Sequence, residues 1–291
     1  MFAWRKSHVP VALFLFLAVF SCPLATSAKS GSKACDRECL LGFMNRYLEA
    51  SATHNPSAVP VSLNANIREN TVPVELGKDA WTKITAVKSK QLFADAMTGQ
   101  VFFWGAVEMD GGPAAMSVRL KVENRKITEI ETVLNNGHDG PFNSDWLMEQ
   151  DVLYESPLPP DRLSTREAMI KVVDNYWEAV GIHNASVASF SRRCVRYENG
   201  RGNPTIAPGE TSACSGGLSN LKGQQTIERR YPIVDVERGI VISYTFLQHQ
   251  ERNPQQALYI SAVAKVVDGK LRELDAVNHT VPFPVTAGFN Q

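Results

Sequence analysis

Tyr, Glu, His and Asn recur at one spacing in this chain: residues 47–55 read YLEASATHN and residues 176–184 read YWEAVGIHN, 129 positions apart. These residue types suit proton transfer, with a carboxylate or imidazole as general base and a tyrosine hydroxyl or asparagine amide as the donor that steadies a developing oxyanion. At the same offset IREN (67–70) falls on RYEN (196–199), so Glu69 meets Glu198 and Asn70 meets Asn199. Two readings compete: a catalytic signature used twice, or a fold made twice.

The elements that must position these residues decide between them. At offset 140 ADAMTGQV (94–101) meets VDVERGIV (234–241), and at offset 144 KVENRKITEIETV (121–133) meets KVVDGKLRELDAV (265–277). Order is kept and offsets only grow, as when two copies of one domain diverge by loop insertion. The second copy opens on a capping-box pattern, Ser164-Thr165-Arg166-Glu167, then places Met169, Val172, Val173, Tyr176, Trp177 and Val180 on one helical stripe. The first does the same with Leu40, Leu41, Met44, Tyr47 and Leu48. Strand-like runs follow at 101–108, 115–122 and 126–133, and at 240–248, 258–267 and 270–277, joined by hairpin turns at Asp110-Gly111-Gly112, Asn124-Arg125 and Asp268-Gly269. A long helix followed by an antiparallel sheet makes each copy α+β.

Within that frame, Asn55 before Pro56 and Asn184 before Ala185 sit where the first helix stops and a short second one starts, so each reads as an N-cap. His54 and His183 then end the first helix, where a histidine can meet the last carbonyls. Tyr47 and Tyr176 belong to the stripe facing the sheet, with a hydroxyl that can line a pocket. The YLEASATHN and YWEAVGIHN signatures therefore describe architecture, and the search for chemistry moves on to Glu69 and Glu198. Glu131 and Asp275 also correspond, but each shares a strand face with another acid, Glu129 or Glu273, which predicts a solvated face. VFFWGAV and IVISYTF are apolar on both alternating faces, so both sides need cover. A helix on one face and the partner repeat on the other gives an intramolecular pseudo-dimer and a monomeric protein; the alternative is that these faces bind another chain.

Thirty Lys+Arg balance thirty Asp+Glu among 291 residues, and no basic run exceeds a pair, which removes the basic field a nucleic-acid binder needs. Arg5-Lys6, an apolar run from Val9 to Phe20 and the small residues ending at Ala28 have the layout of a secretory signal, so residues 1–28 are expected to be cleaved. The expected division is then a first domain at 31–135, a linker at 136–163 and a second domain at 164–285, exported and free of the membrane. A retained anchor is the weaker alternative, because the run is short for a bilayer. Cys22 leaves with the signal, and Cys35, Cys39, Cys194 and Cys214 can pair in three ways; Cys194–Cys214 and Cys35–Cys39 are favoured. Zinc is not expected, since no CxxC is present and no histidine stands at ligand spacing. Asn184-Ala185-Ser186 and Asn278-His279-Thr280 are glycosylation sequons. GxSxG, HExxH, P-loop and strand-borne GxGxxG motifs are absent from the sequence.

The long first helix, the HNPSAV and HNASVA turns, the strands ending in Glu-Asn and the terminal meander resemble the NTF2-like superfamily of cone-shaped α+β domains, which includes ketosteroid isomerase, scytalone dehydratase and SnoaL-type cyclases. More narrowly, CDRECLLGFMNRYLEA, IREN/RYENG and LKVENRKITEIETVL resemble a family of secreted fungal and bacterial proteins with two such domains and no assigned activity. The resemblance implies a cone cavity holding an apolar or polyketide-like molecule, and cofactor-free lyase, isomerase or cyclase chemistry. On that reading the catalytic candidates are Glu198, Tyr244 and His249, with Asp275 behind them, and Tyr176, Asn199, His279, Glu69 and Trp104 line the ligand. Glu198 is the preferred base because Glu recurs at that strand end, which makes the second cone the working site; the alternative for Glu198 is that Glu-Asn closes a turn. The alternative is a non-catalytic module that binds a ligand or a protein.

Overall fold

The structure, a computed structural model, describes residues 1–4, 34–137, 142–143, 145, 152–202, 212–218 and 221–289. The signal expected at residues 1–28 lies mostly outside the described residues, and His138-Asp139, which reads from sequence as a turn in the Gly/Asn-rich linker, lies wholly outside them. Ala34–Gln291 is one compact unit and holds both repeats.

Each repeat begins with one amphipathic helix. In the first, α1 (Arg37–Ala52) is capped by Asp36, whose carboxylate accepts from Cys39 N at 3.0 Å, and the Cys35–Cys39 disulfide straddles the cap. In the second, α2 (Arg166–Ile182) is capped by Thr165, one residue past the first Ser of the capping-box pattern, which accepts from Ala168 N at 3.2 Å. The predicted stripes are buried at Leu40, Met44, Tyr47 and Leu48, then Met169, Val173, Tyr176, Trp177 and Val180, whereas Leu41 and Val172, at the stripe edges, are half-buried. Past each helix end, His54 and His183 take left-handed backbone, φ 52° and 59°. Their Nε2 atoms hydrogen-bond strand carbonyls, Ile84 O at 2.8 Å and Gln224 O at 3.0 Å, and so tie the helix end to the sheet. The following turns, Pro56–Ala58 and Ala185–Val187, are 3-10. Asn184 caps the second by accepting from Ser186 N, whereas Asn55 bonds the Ser57 hydroxyl instead.

The first sheet contains β1 (Val61–Glu69), β2 (Val72–Pro73), β3 (Ile84–Val87), β4 (Gln91–Asp95), β5 (Gln100–Met109), β6 (Gly112–Glu123) and β7 (Lys126–Asn135). Its order is β2-β1-β7-β6-β5-β3, with β4 also on β5. The second contains β8 (Phe190–Glu198), β9 (Arg201–Gly202), β10 (Gln224–Asp235), β11 (Ile240–His249), β12 (Gln256–Val267) and β13 (Lys270–Pro282), in the order β10-β11-β12-β13-β8-β9. Both sheets are mixed rather than antiparallel throughout, since β1 runs parallel to β7 and β8 to β13. Hydrophobic alternation tells which face a residue takes and carries no sign of strand direction, so the sequence could not reveal these pairs. At the hairpins, Asn124 and Arg125, and Asp268 and Gly269, all have positive φ, as a two-residue turn matched to strand twist requires.

Alternation on the central strands resolves into two covered faces. On β5, Val101, Phe103 and Val107 join the core beneath α1, while Phe102, Trp104 and Ala106 point into a second core. That second core also receives Ile240, Ile242, Tyr244 and Phe246 of β11, whose Val241 faces the α2 side. The repeats therefore pack sheet against sheet, with each helix on the outer side, as the doubly apolar strands predict. Ser117 and Ser261, which occupy the same place in the two repeats, meet across this interface at 2.5 Å. A pseudo-twofold axis thus passes between them.

Candidate active site

The Glu-Asn pairs lie where β1 and β8 end. Asn70 and Asn199 sit in left-handed backbone, φ 48° and 51°, and use their amides to clamp the neighbouring parallel strand. Asn70 accepts from Leu134 N at 2.9 Å and donates to Leu134 O at 3.1 Å. Asn199 accepts from Asn278 N and donates to Asn278 Oδ1, both at 3.0 Å. Asn199 is thus a buried structural clamp, with both amide atoms engaged by Asn278.

The two glutamates diverge. Glu69 is half-buried on the helix-covered face of β1, shared with Ile67, and its Oε2 accepts from Ala80 N at 3.3 Å. Burial pushes its carboxyl up to about 7, with Asp79 adding to the rise and the Ala80 bond and Lys83 opposing it. Thr132 pairs with Glu69 across β1 and β7. Tyr47 projects from α1 toward the same place; its hydroxyl accepts from Trp81 Nε1 at 3.0 Å, and the two rings meet edge to face at 5.2 Å. Burial raises the Tyr47 phenol to about 12, against the opposing Trp81 and Thr132 hydrogen bonds, and the Glu69 charge adds to the rise. A carboxyl that titrates near neutrality and a protonated phenol therefore share one face of the first repeat.

Glu198 instead ends β8 with its side chain 53% exposed, 3.5 Å from Arg196 Nε. Arg196 stands where the first repeat has Ile67, and its guanidinium also reaches Tyr176 Oη at 3.4 Å and Gly216 O at 3.5 Å. One apolar-to-cationic exchange therefore occupies the second repeat's tyrosine hydroxyl and holds the glutamate at the surface. This difference is visible in the sequence once IREN and RYEN are aligned.

The structure does not bring Glu198, Tyr244 and His249 together. Tyr244 is fully buried in the inter-repeat core, on the opposite face of the sheet from Arg196 and Glu198, with the Arg230 guanidinium 4.9 Å above its ring. Glu198 lies level with Ser243 through Ala276 and Ala262, so His249 is six residues farther along β11, on the order of 20 Å at strand rise. His249 Nδ1 accepts from Arg252 N at 3.0 Å and closes the β11–β12 turn. Trp104 belongs to the inter-repeat core, and His279 pairs with Tyr259 on that same side. Of the expected ligand-lining set, Tyr176 and Glu69 lie on helix-covered faces, and they belong to different repeats.

Glu131 and Asp275 are each 1% exposed, which corrects the expected solvated face. Glu131 anchors a buried network that joins the repeats: Arg119 Nε lies at 2.6 Å, Arg230 Nη2 at 2.5 Å, and the Tyr259 hydroxyl donates to Glu131 Oε1. Arg119 also donates to Gln100 at 2.6 Å, and Phe289 lies 4.8 Å from its guanidinium carbon. Burial favours the neutral acid, but the two guanidiniums outweigh it and hold Glu131 below the ordinary carboxylate value. Tyr244 and Tyr259 are pushed well above theirs, chiefly by burial. The available sequence signal was Arg119 between the apolar Val118 and Leu120, directly opposite Glu131 in the β6–β7 register.

Both favoured disulfides form, Cys35–Cys39 and Cys194–Cys214, with Cα separations of 5.3 and 5.5 Å. Asn184 is exposed, whereas Asn278 is 7% exposed with its amide and backbone held by Asn199 and Asn135, so the second sequon is closed to glycosylation in the folded chain. Among the described residues no cluster of metal-ligating side chains occurs, and no helix is long and apolar enough to cross a membrane.

No curated protein matches the chain. Two solved structures are similar to it: an NTF2-like protein of unknown function from Cytophaga hutchinsonii, 8% identical at a TM-score of 0.28, covering 38% of this chain and 89% of that one; and an NTF2-like protein of unknown function from Shewanella baltica, 13% identical at a TM-score of 0.27, covering 41% and 98%. The family model described as Domain of unknown function (DUF8021) matches residues 33–134 and again 162–278, one match to each repeat and most of the chain between them, and the chain belongs to that family.

Proposed function

We propose that the protein is an exported, cofactor-independent enzyme of the lyase, isomerase or cyclase type, acting on a small apolar or polyketide-like molecule, and that the first repeat is the working one. The observation that carries this reading is Glu69, a half-buried carboxyl with a value of about 7 on the same face as the Tyr47 hydroxyl. At neutral pH such a group exchanges protons readily in both directions. Glu69 takes a proton from the carbon beside a carbonyl, and the C–H electron pair moves into the enolate. Tyr47 is held by Trp81 and Thr132 through its oxygen, which leaves its own O–H to donate to the enolate oxygen. Glu69 then returns the proton to another carbon, for isomerisation, or to a departing hydroxyl, for dehydration. Two disulfides support an exported setting.

The test is incubation of the protein with extract of the producing organism's culture, followed by mass spectrometry for bound and transformed molecules. Glu69→Gln is expected to abolish transformation while the molecule remains bound, and Glu198→Gln to leave turnover unchanged. Full conversion by Glu69→Gln sinks the reading. A second reading, a non-catalytic ligand-binding module, is favoured by the outward Glu198 and by helices packed directly on the sheets through Leu40, Met44, Val173 and Trp177. It predicts a bound molecule that is never altered.

A further inference from the structure

A groove of about 620 Å³ lies on the second repeat, between the linker wall at Ser156–Pro159 and the strands β8, β12 and β13. Its lining includes Arg162, Arg192, Arg193, Lys265, Lys270 and Arg272 against one acid, Asp268. In a chain whose formal net charge is zero, this is a local excess of five positive charges, six cations less one anion. Arg162 and Asp268 pair with each other, and Lys265 is turned inward, its Nζ donating to Ser156 O and Arg238 O. Arg272 is anchored by donating to Arg193 O at 2.5 Å and lies 3.9 Å from the Glu273 carboxylate. Arg192 and Arg193 are exposed, and among the described residues neither they nor Lys270 have an acid within ion-pair distance.

Local backbone puts the two arginines there. Pairing of β8 with β13 jumps from Phe190–Leu271 to Val195–Glu273, so residues 191–194 form a bulge, a device that re-aims side chains. The first repeat has the same bulge, between Val61 and Asn66, and serves as an internal control. There the matching residues are Leu63 and Asn64, and Thr128 matches Arg272. The shared fold requires the bulge but not the charge. Asp268 and Glu273 compensate only Arg162 and Arg272, and the remaining cationic cluster costs self-repulsion, which an anionic ligand relieves.

We propose that this groove binds a compact molecule bearing two or more phosphate or sulfate esters, held by the Arg192 and Arg193 guanidiniums of β8 together with Lys270 and Arg272 of the adjoining β13. A planar guanidinium fork matches such oxyanions in two-point contact. No aromatic residue is among those lining the groove, so bases have nothing to stack on and a nucleic acid is disfavoured. A phosphorylated or sulfated sugar or cyclitol fits the volume and the charge.

The experiment is isothermal titration calorimetry of the full folded chain with inositol hexakisphosphate, a trisulfated heparin disaccharide and, as the carboxylate control, trigalacturonate. Saturable one-to-one binding of the phosphate or the sulfate ester, weakened by added salt, is expected, and the stronger of the two identifies the ester. The double substitution Arg192→Ala/Arg193→Ala should weaken it at least about tenfold, since charge-assisted hydrogen bonds are lost. Both side chains are exposed, so the unfolding midpoint should stay unchanged. Lys270→Gln, from another strand, should weaken it independently, and Glu69→Gln should leave it as it was. Unchanged affinity in the double variant overturns the assignment, as does equal binding of trigalacturonate, tighter binding of a single-stranded oligonucleotide, or no binding of either ester.

Discussion

Arg37, in the first turn of α1, pairs with Asp235 of the second repeat at 2.8 Å, and Arg166, in the first turn of α2, pairs with Asp95 of the first repeat at 2.6 Å. Each arginine and each aspartate is its counterpart's match by sequence offset, so the contact is made twice, reciprocally, as in a twofold dimer. The aspartates are nearly buried, 2% and 3% exposed, and Asp95 also accepts from Val234 N at 3.0 Å. Arg37→Ala and Arg166→Ala are each expected to cost about 1–3 kcal/mol by leaving a buried carboxylate without its cation. Chemical denaturation should show the two losses adding, whereas Arg37→Ala and Asp235→Ala should be coupled.

Glu131 predicts an acid limit to stability. Its folded value lies below the ordinary carboxylate value, so its contribution is present above roughly pH 4.3 and is lost as pH falls through the folded value. Glu131→Gln strands Arg119 and Arg230 in the interface and should cost about 3–5 kcal/mol at neutral pH, the usual penalty for half of a buried ion pair. Urea unfolding from pH 7 to pH 3 should then show a flatter acid limb in the variant.

Glu69 has the opposite sign. Its folded value is raised to about 7, so the fold disfavours its ionised form, and stability should fall as pH rises from roughly 4.5 to 7 and level off above that. Glu69→Gln should remove this slope and gain about 1–3 kcal/mol at pH 8 after allowance for solvent screening. A carboxyl carbon titration by NMR that places Glu69 at its ordinary value would contradict both this and its role as a neutral-pH base.

The Cys194–Cys214 bridge spans a sequence separation of 20, and loop-closure entropy assigns it about 3 kcal/mol, against about 2 kcal/mol for Cys35–Cys39 with a separation of 4. Paired Ser substitutions followed by thermal unfolding should keep that order.

Expression in a glycosylating host should place sugar on Asn184 and leave Asn278 bare, as read by peptide mapping. Sugar on Asn278 in properly folded protein would contradict its place between Asn199 and Asn135.

Sequence periodicity located the helices and central strands because burial on one face is written residue by residue. Trp104 and Tyr244 show its limit: alternation says that such a residue is covered, but not whether by a helix or by the other repeat. Glu131 was misjudged for a related reason, since a strand acid reads as solvated until the cation that neutralises it, Arg230 at a sequence separation of 99, is brought over it by tertiary packing. The two Asn residues were identified by type alone, and their true partners, Leu134 and Asn278, belong to a parallel strand that no local signal announces.

The Ser117–Ser261 contact on the pseudo-axis has an evolutionary consequence. In a homodimer every substitution at the interface appears in both halves at once, so an asymmetric charge network cannot arise there. Fusing the halves into one polypeptide lifts that constraint. Arg119 could become cationic while its counterpart, Val263, stayed apolar, and one repeat could keep a titratable glutamate while the other turned its own outward. Joined in one polypeptide, the two halves are separately selectable at every interface position.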